Sequence, residues 1–208
     1  EVPGSAGGGC AITGMGKLGA RELNYVSDVD LIYVVEPAGS EDAPGLSRVG
    51  TRMSLILQRI CQSVMPGVAE PALWQIDGGL RPEGKDGPLV RRLDSHLEYY
   101  ARWAESWEFQ ALLKARAAAG DPDLGADYVR RTRPLVWSAS SRENFVNDCQ
   151  AMRRRVEDLI PRALQDREVK LGRGGLRDVE FTVQMLQLVH GLSLNHIYEP
   201  PRLRRISL

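Results

Sequence analysis

Residues 12–36 read ITGMGKLGARELNYVSDVDLIYVVE, and this stretch decides the fold. An apolar segment leads into a glycine-rich turn, and a second apolar segment, residues 31–35, follows two carboxylates, Asp28 and Asp30. Side chains two positions apart in a strand lie on the same face. Asp28 and Asp30 are therefore expected to project together from one end of a strand. Because carboxylates and phosphate oxygens are the ligands that Mg²⁺ prefers, the pair indicates a metal-dependent phosphoryl- or nucleotidyl-transfer site.

The composition excludes several classes of protein. Of the 208 residues, 43% are hydrophobic and 26% charged, which is ordinary for a globular protein. Lys plus Arg and Asp plus Glu both number 27, whereas a general nucleic-acid binder has a basic excess, so no nucleic-acid partner is expected. No apolar run approaches the ~20 residues of a membrane span, so no membrane partner is expected. Three scattered cysteines favour reduced thiols and a cytoplasmic location over a zinc site or disulfides.

The glycine turn at residues 14–19 also matches another nucleotide-binding pattern. The spacing G-x-G-x-x-G between a strand and a helix is typical of dinucleotide-binding folds, and Glu36 lies near the position of their ribose-binding acid. Against this interpretation, Asp28 and Asp30 would face an anionic cofactor. A P-loop is excluded because Leu18, not Ser or Thr, follows the lysine.

We favour a different role for the same glycines. The absence of a side chain at Gly16 lets backbone N–H groups approach a triphosphate, and Lys17 can add a positive charge. A plain tight turn explains the glycines equally well, and the sequence leaves both interpretations open.

Hydrophobic periodicity predicts the remaining elements. The expected helices cover residues 20–25, 47–64 (with Val49, Met53, Ile56, Leu57 and Ile60 in the core), a stretch from 93, 106–118, 143–164 and 176–190, and a short strand covers 72–77. A boundary at residues 120–123, GDPD, separates a domain over 10–121 from a helical domain over 122–192. Residues 193–208 lack periodicity and are expected to be an irregular tail, truncated or frame-shifted.

A third acid follows the predicted strand 72–77. Asp77 is the natural third metal ligand if this strand lies beside the one that carries Asp28 and Asp30, although a lone aspartate after a strand is more commonly a turn former. The Gly- and Pro-rich loop 78–88 then carries Arg81, which either meets phosphate oxygens or belongs to a solvated turn.

Lys114 falls within an apolar stripe of the predicted helix 106–118. A buried cation needs a partner, and Glu108 or a bound phosphate are the candidates. The alternative is that the side chain extends along the apolar surface to reach water.

Five motifs together resemble the glutamine synthetase adenylyltransferases. They occur in the family's order and extend over about residues 11–191. The motifs are 14–19 (GMGKLG), 21–31 (RELNYVSDVDL), 80–84 (LRPEG), 107–116 (WEFQALLKAR) and 170–181 (KLGRGGLRDVEF).

The resemblance implies an α+β fold, in which a DNA-polymerase-β-like nucleotidyltransferase domain, a small mixed sheet flanked by helices, precedes a helical domain. It implies an Mg²⁺-dependent nucleotidyltransferase that controls glutamine synthetase in nitrogen metabolism by adding or removing AMP on a tyrosine. Removal uses phosphate and releases ADP, and addition uses ATP. Beyond glutamine synthetase, ATP, ADP and phosphate, a PII-type signalling protein is the implied regulatory partner.

The resemblance also assigns residues. Asp28, Asp30 and Asp77 are the implied catalytic metal ligands, and the implied phosphate- and nucleotide-binding residues are Gly16, Lys17, Ser27, Arg81 and Lys114. The pair Gly78-Gly79 departs from the family pattern, which predicts a less rigid Asp77.

The family duplicates its catalytic unit, and two segments resemble the N-terminal, adenylyl-removing copy. These are residues 22–24 and the motif at 170–181, whose Arg177 the C-terminal copy tends to lack. Two alternatives remain open at this point. One is a nicotinamide-dinucleotide-binding domain, and the other is a catalytically silent regulatory fragment that binds glutamine synthetase.

Overall fold

A computed structural model describes residues 8–25, 27–39, 45–64, 66–67, 69, 71–165 and 167–192. The tail expected over 193–208 lies outside these residues. The strands are β1 (Gly8–Gly14), β2 (Val29–Pro37), β3 (Ile76–Asp77), β4 (Val90–Arg92) and β5 (Arg116–Gly120). The α-helices are α1 (Gly16–Ala20), α2 (Leu46–Gln62), α3 (Leu93–Arg102), α4 (Ser106–Leu112), α5 (Pro122–Ser138), α6 (Phe145–Asp158) and α7 (Leu176–His190).

The five strands form one small mixed sheet in the order β3-β2-β1-β5, and β4 also pairs with β2. β1 runs antiparallel to β2 over its whole length, from Gly8 opposite Pro37 to Gly14 opposite Leu31. β5 is antiparallel to β1, whereas β3 and β4 are parallel to β2. The mixed sheet and the helices confirm the predicted α+β class.

The β1–β2 pairing contradicts the dinucleotide-binding interpretation. In that fold the strands on either side of the glycine turn are parallel and are joined by a crossover helix, but here they form an antiparallel pair joined through a helix of five residues. Glu36 has a structural partner instead: its Oε1 accepts a hydrogen bond of 2.7 Å from the backbone N–H of Leu93. The acid therefore holds the start of α3 against the end of β2.

The core of the sheet is built on β2. Val29, Leu31, Tyr33 and Val35 pack with Val90 of β4 in one cluster. The alternate residues Ile32 and Val34 are fully buried on the opposite face, at 0% exposure. Burial on both faces explains why the sequence of this strand is apolar at every position from residue 31 to residue 35 and does not alternate. Each such side chain contributes about 1.5–3 kcal/mol to the stability of the fold when it is buried.

Several predicted elements were wrong in extent. The strand expected over 72–77 is β3, which covers only Ile76–Asp77, and the helix expected over 143–164 is α6, which ends at Asp158. The helix expected over 20–25 is α1, which ends at Ala20 because Arg21 takes a left-handed conformation with φ of 63°. The helix expected over 106–118 ends at Leu112, and residues from Arg116 form β5. The Ala-rich sequence there favours a helix, but pairing with β1 supplies backbone hydrogen bonds that override this preference.

The position of α2 was predicted correctly, but its core face only in part: Leu57 packs against the core cluster of the sheet, as predicted. Met53, Ile56 and Ile60 are 50–64% exposed, while the helix buries Gly50, Ser54 and Cys61. The cause is close packing: a Cβ at Gly50 would lie 2.8 Å from Cγ1 of Val35. Small residues let the helix approach the sheet, and this contact outweighs the apolar periodicity.

Contacts divide the chain into two compact units. The first contains the sheet, within residues 1–104 and 114–135, and the second combines residues 105–113 with those from 136 onward. Helix α4 thus belongs with α6 and α7 rather than with the sheet. The boundary expected between residues 121 and 122 stays a prediction.

In the part of the chain that the structure describes, no helix combines the length and the apolar character that crossing a membrane would require.

His96 of α3 is 1% exposed and meets the ring of Tyr128 edge-on at 5.2 Å. Burial is the main cause that lowers the pKa of His96 to about 3; the charge of Arg91 also lowers it, and a backbone contact with Tyr33 opposes both. Between pH 6.5 and about pH 3, the imidazole of His96 is therefore neutral in the folded protein and protonated in the unfolded chain.

We expect acid to destabilise the fold through His96. Between pH 6.5 and pH 3 the unfolded state binds more protons than the folded state. The contribution of His96 to the free energy of unfolding is therefore fully present above pH 6.5, and below it this contribution falls by up to about 1.4 kcal/mol per pH unit. Urea denaturation across this range should show a shallower loss for His96→Phe than for the wild type. His190→Phe, at an exposed site in α7, is the control. Parallel losses in wild type and His96→Phe would contradict the expectation.

Candidate active site at the edge of the sheet

Asp30 and Asp77 lie side by side at one edge of the sheet. β2 and β3 pair in parallel with Val29 opposite Ile76 and Asp30 opposite Asp77. Paired residues on neighbouring strands, which are about 4.8 Å apart, project to the same face. The third predicted acid is thus beside the second, which is the condition that the sequence analysis set for Asp77 as a metal ligand. Asp30 is half-buried and Asp77 is exposed.

Asp28 lies one residue before β2 begins and is exposed. Ser27 precedes it, and its hydroxyl donates to the backbone carbonyl of Asp28 at 3.2 Å. The structure therefore brings the three acids to the same end of β2, with Asp28 outside the regular strand that was expected to hold it.

The acids suit magnesium as oxygen donors but do not form a closed cage. Across the described ranges, no three His, Cys, Asp or Glu side chains are grouped so that they could hold a metal ion. Mg²⁺ is usually bound through one or two carboxylates together with substrate phosphates. The donor set of Asp30 and Asp77 therefore fits a metal ion that is held jointly with a nucleotide.

Gly16 lies directly against this acidic edge. Its φ of +48° is left-handed, and a Cβ placed on it would lie 2.1 Å from Oδ2 of Asp30. The preceding residue, Met15, donates its backbone N–H to the carbonyl of Asp30 at 2.9 Å. The glycine is therefore needed both for the turn and for contact between the backbone and the carboxylate.

Lys17 follows in α1 and is half-buried. Its Nζ donates to Oδ1 of Asn24 at 3.2 Å. This partner is neutral, so the contact does not neutralise the charge of Lys17. The lysine directly follows Gly16, which lies against Asp30.

The loop after β3 is held by its own hydrogen bonds. Oδ1 of Asp77 accepts the backbone N–H of Gly79 at 2.7 Å, and a Cβ at Gly79 would lie 2.9 Å from that oxygen. The second glycine thus allows a contact that orients Asp77, whereas the sequence predicted that the glycine pair would loosen it.

Arg81 organises the same loop. Its Nε donates to the carbonyl of Gly87 at 3.1 Å, and its Nη1 and Nη2 donate to Gly78 and Lys85 at 2.8 and 3.1 Å. Each guanidinium nitrogen has a backbone partner, so the arginine stabilises the loop in this state. Its role toward phosphate stays a prediction.

Lys114 pairs with an acid that the sequence analysis did not consider. Its Nζ lies 3.8 Å from Oε2 of Glu22, and the lysine side chain is only 12% exposed. The backbone of Lys114 also contacts α1 closely, since a Cβ at Gly19 would lie 1.9 Å from its carbonyl oxygen. Lys114 is therefore placed against the short helix that carries Gly16.

Arg116 is a positioning residue that the sequence analysis missed. Its Nη2 donates to the carbonyl of Leu18 at 2.8 Å and its Nε to that of Gly19 at 3.2 Å. These carbonyls are at the C-terminal end of α1, where a cation lies favourably against the carbonyl oxygens; the Leu18 carbonyl also accepts the backbone N–H of Arg21 at 3.2 Å. The residue lies within the motif at 107–116, but its partners depend on the fold and not on local spacing.

Comparison with known proteins identifies two family patterns. The pattern described as glutamate-ammonia ligase adenylyltransferase matches residues 3–131. A second, described as GlnD PII-uridylyltransferase, matches residues 150–205.

Curated relatives share one printed name, bifunctional glutamine synthetase adenylyltransferase/adenylyl-removing enzyme. That of Bifidobacterium longum (strain DJO10A) is 72% identical over 192 residues, covering 92% of this chain and 18% of the relative. That of Leifsonia xyli subsp. xyli is 60% identical over 185 residues, covering 87% and 18%. That of Streptomyces coelicolor is 56% identical over 184 residues, with the same coverage. The chain thus spans about a fifth of the length of the curated relatives it matches.

Gly16→Ala should destabilise the first unit more than backbone strain alone predicts. A left-handed alanine costs about 1–2 kcal/mol, and at Gly16 its Cβ must also displace the carboxylate of Asp30. Gly67→Ala is the matched control, because Gly67 has φ of +80° and a Cβ placed on it would meet no atom within 4 Å. Urea unfolding should give a larger loss of free energy for Gly16→Ala. Equal losses would show that the contact with Asp30 can relax without cost.

Proposed function

The chain belongs to the glutamate-ammonia ligase adenylyltransferase family, and from this premise we propose that its acidic sheet edge is a nucleotidyl-transfer site that acts on a tyrosine of glutamine synthetase. The observation that carries the proposal is the parallel register that sets Asp30 beside Asp77. The family match covers this whole edge.

Magnesium is the proposed cofactor. Asp30 and Asp77, which are paired across the strands, are proposed to hold it together with substrate phosphates, and Asp28, at the same end of β2, is proposed to join them as a ligand when the ion is bound. When bound, the ion would stabilise negative charge on the phosphoryl group being transferred. The oxygen-only chemistry of the three side chains supports this assignment.

The remaining residues of the site are proposed to hold the nucleotide against the acids. Gly16 leaves room for the backbone beside Asp30, and Lys17 adds a positive charge from the same short helix. Lys114, whose backbone packs against Gly19 of α1 and whose Nζ pairs with Glu22, is proposed to counter phosphate charge. The other two proposed nucleotide-binding residues are Ser27, just before β2, and Arg81, in the loop after β3.

The proposed reaction replaces one oxygen substituent of the adenylyl phosphorus with another, so that removal converts the phosphodiester to tyrosine into the phosphoanhydride of ADP. In removal, an oxygen of inorganic phosphate bonds to phosphorus, the bond to the tyrosine oxygen breaks, and the products are ADP and tyrosine. A phenol with a pKa of about 10 is a tolerable leaving group when its oxygen is stabilised. We propose removal as the direction for this chain, because residues 22–24 and 170–181 resemble the adenylyl-removing copy.

A PII-type signalling protein is the proposed regulatory partner. The match of residues 150–205 to the family described as GlnD PII-uridylyltransferase supports it. A nucleotidyltransferase domain over residues 10–121 followed by a helical domain over 122–192 remains our proposal for the organisation of the chain.

Asp30→Asn and Asp77→Asn should each lower transfer at least about 100-fold, because each removes negative charge at the proposed metal site while conserving shape. The measurement is the mass of glutamine synthetase after incubation with the chain, Mg²⁺ and substrates. Asp123→Asn, at an exposed acid in the first turn of α5, is the control and should retain activity. Undiminished turnover in both variants would exclude the metal role, and no turnover in the wild type would favour the silent regulatory fragment.

Direction is tested with two separate substrates. Adenylylated glutamine synthetase with phosphate should lose AMP and release ADP, while unmodified glutamine synthetase with ATP should gain no mass. Gain of AMP in the second mixture, with none lost in the first, would reverse the proposed direction.

A further inference from the structure

Strand β3 has few contacts of its own within the sheet. It covers only Ile76–Asp77 and lies at the end of the strand order, where it pairs with β2. The described residues between positions 63 and 75, which lead into it, belong to no helix or strand. Because two paired positions supply few ladder hydrogen bonds, other contacts must contribute to the position of Asp77.

One of these contacts comes from the last residue of α2. Nε2 of Gln62 donates to the backbone carbonyl of Ile76 at 3.2 Å, and the bond is partly buried. The preceding carbonyl, that of Gln75, accepts the backbone N–H of Val29 at 2.8 Å. Successive carbonyls of an extended chain point in opposite directions, so the carbonyl of Ile76 faces away from β2 and toward α2.

The carbonyl that Gln62 holds belongs to the same rigid group as the backbone of Asp77. The carbonyl of Ile76 and the N and Cα atoms of Asp77 lie in one planar peptide unit. A hydrogen bond to this carbonyl therefore limits rotation of the unit, and with it the direction in which the Asp77 side chain leaves the backbone. Since Asp77 is paired with Asp30, this direction determines how the two carboxylates face each other.

Helix α2 is itself firmly attached to the sheet. A Cβ placed on Gly50 would lie 2.8 Å from Cγ1 of Val35 and 3.1 Å from Cγ1 of Val90. At the other end of the helix, the carbonyl of Cys61 accepts the backbone N–H of Trp74 at 3.1 Å. Two consecutive residues of α2 therefore hold the segment that enters β3.

We propose that Gln62 is a positioning residue of the acidic edge, which holds Asp77 in the orientation that a nucleotide-bound Mg²⁺ requires. This inference rests on the nucleotidyl-transfer site proposed for the edge. Gln62 supplies no oxygen to the metal and acts on the backbone next to Asp77. Its loss should therefore weaken binding of the metal–nucleotide complex without weakening binding of the nucleotide alone.

Calorimetric titration of the chain with ADP, once with Mg²⁺ and once with EDTA, tests this role. Gln62→Met should weaken binding of Mg²⁺·ADP about fivefold, which corresponds to a hydrogen bond worth about 1 kcal/mol. Binding of ADP in EDTA should not change. Asp77→Asn should show the same selectivity with a larger effect, because it alters a proposed ligand directly.

Gln58→Met is the matched control. Gln58 lies one turn earlier in α2, and its Nε2 donates to the hydroxyl of Tyr33 at 3.3 Å and not to β3. Both substitutions remove one side-chain hydrogen bond from the same helix, so Gln58→Met should bind Mg²⁺·ADP like the wild type. Gln62→Ala, whose side chain cannot reach the carbonyl and which favours a helix, gives a second measurement if Gln62→Met does not fold.

The titrations separate failure of this role from failure of the site. If Asp77→Asn binds Mg²⁺·ADP like the wild type, the proposed metal site is excluded, and the role of Gln62 with it. If Asp77→Asn weakens Mg²⁺·ADP but Gln62→Met does not, the metal site stands and Gln62 does not position it. Equal weakening of ADP in EDTA by Gln62→Met would show that Gln62 acts only through the general stability of the fold.

Discussion

Pairing of β2 along both edges, with apolar packing on both of its faces, is the constraint on which the first unit depends. β1 occupies one edge, β3 and β4 share the other, and Ile32 and Val34 are buried beneath them. A shift of one residue would turn each buried side chain to the opposite face. Because the two faces pack against different neighbours, as Val35 does against Gly50 of α2, this packing fixes the register, and the same register sets Asp30 opposite Asp77. The relative position of Asp30 and Asp77 therefore follows from the register of an apolar strand.

The short helix beside this edge depends on distant residues. A helix of five residues is not stable alone, and α1 is held where Arg116 donates to the carbonyl of Gly19, 97 positions away in the sequence. Lys114 adds an ion pair with Glu22 at the same place. Strand β5 carries this arginine to α1 by pairing with β1. The position of Gly16 against Asp30 is thus a product of the sheet and not of the glycine turn itself.

The second unit is organised differently. Helix α7 buries Gln184 and Gln187, while Leu176 and Val179 are more than 60% exposed. Hydrogen bonds and ion pairs, such as that between Arg153 and Asp178, therefore determine much of how α6 and α7 meet. Polar groups in a low-dielectric interior form strong contacts when paired and are costly when unpaired. Among the described residues of this unit, Oε1 of Gln110, Nη1 of Arg153 and the amide nitrogen of Gln187 are buried without a hydrogen-bond partner.

The sequence determined the α+β class through its resemblance to a known family. Local patterns determined the apolar strand opened by two acids and the positions of helices such as α2 and α7. These follow from local chemistry, because alternation, glycine turns and periodic apolar residues act within one segment. Only the tertiary structure decided that residues 116–120 form a strand, that α2 faces the sheet through Gly50, and that Gly79 orients Asp77. Each of these depends on what lies opposite in space: β1 completes the hydrogen bonds of β5, Val35 limits the size of residue 50, and the Asp77 carboxylate occupies the space of a Cβ at 79. A local pattern contains no information about that opposing surface.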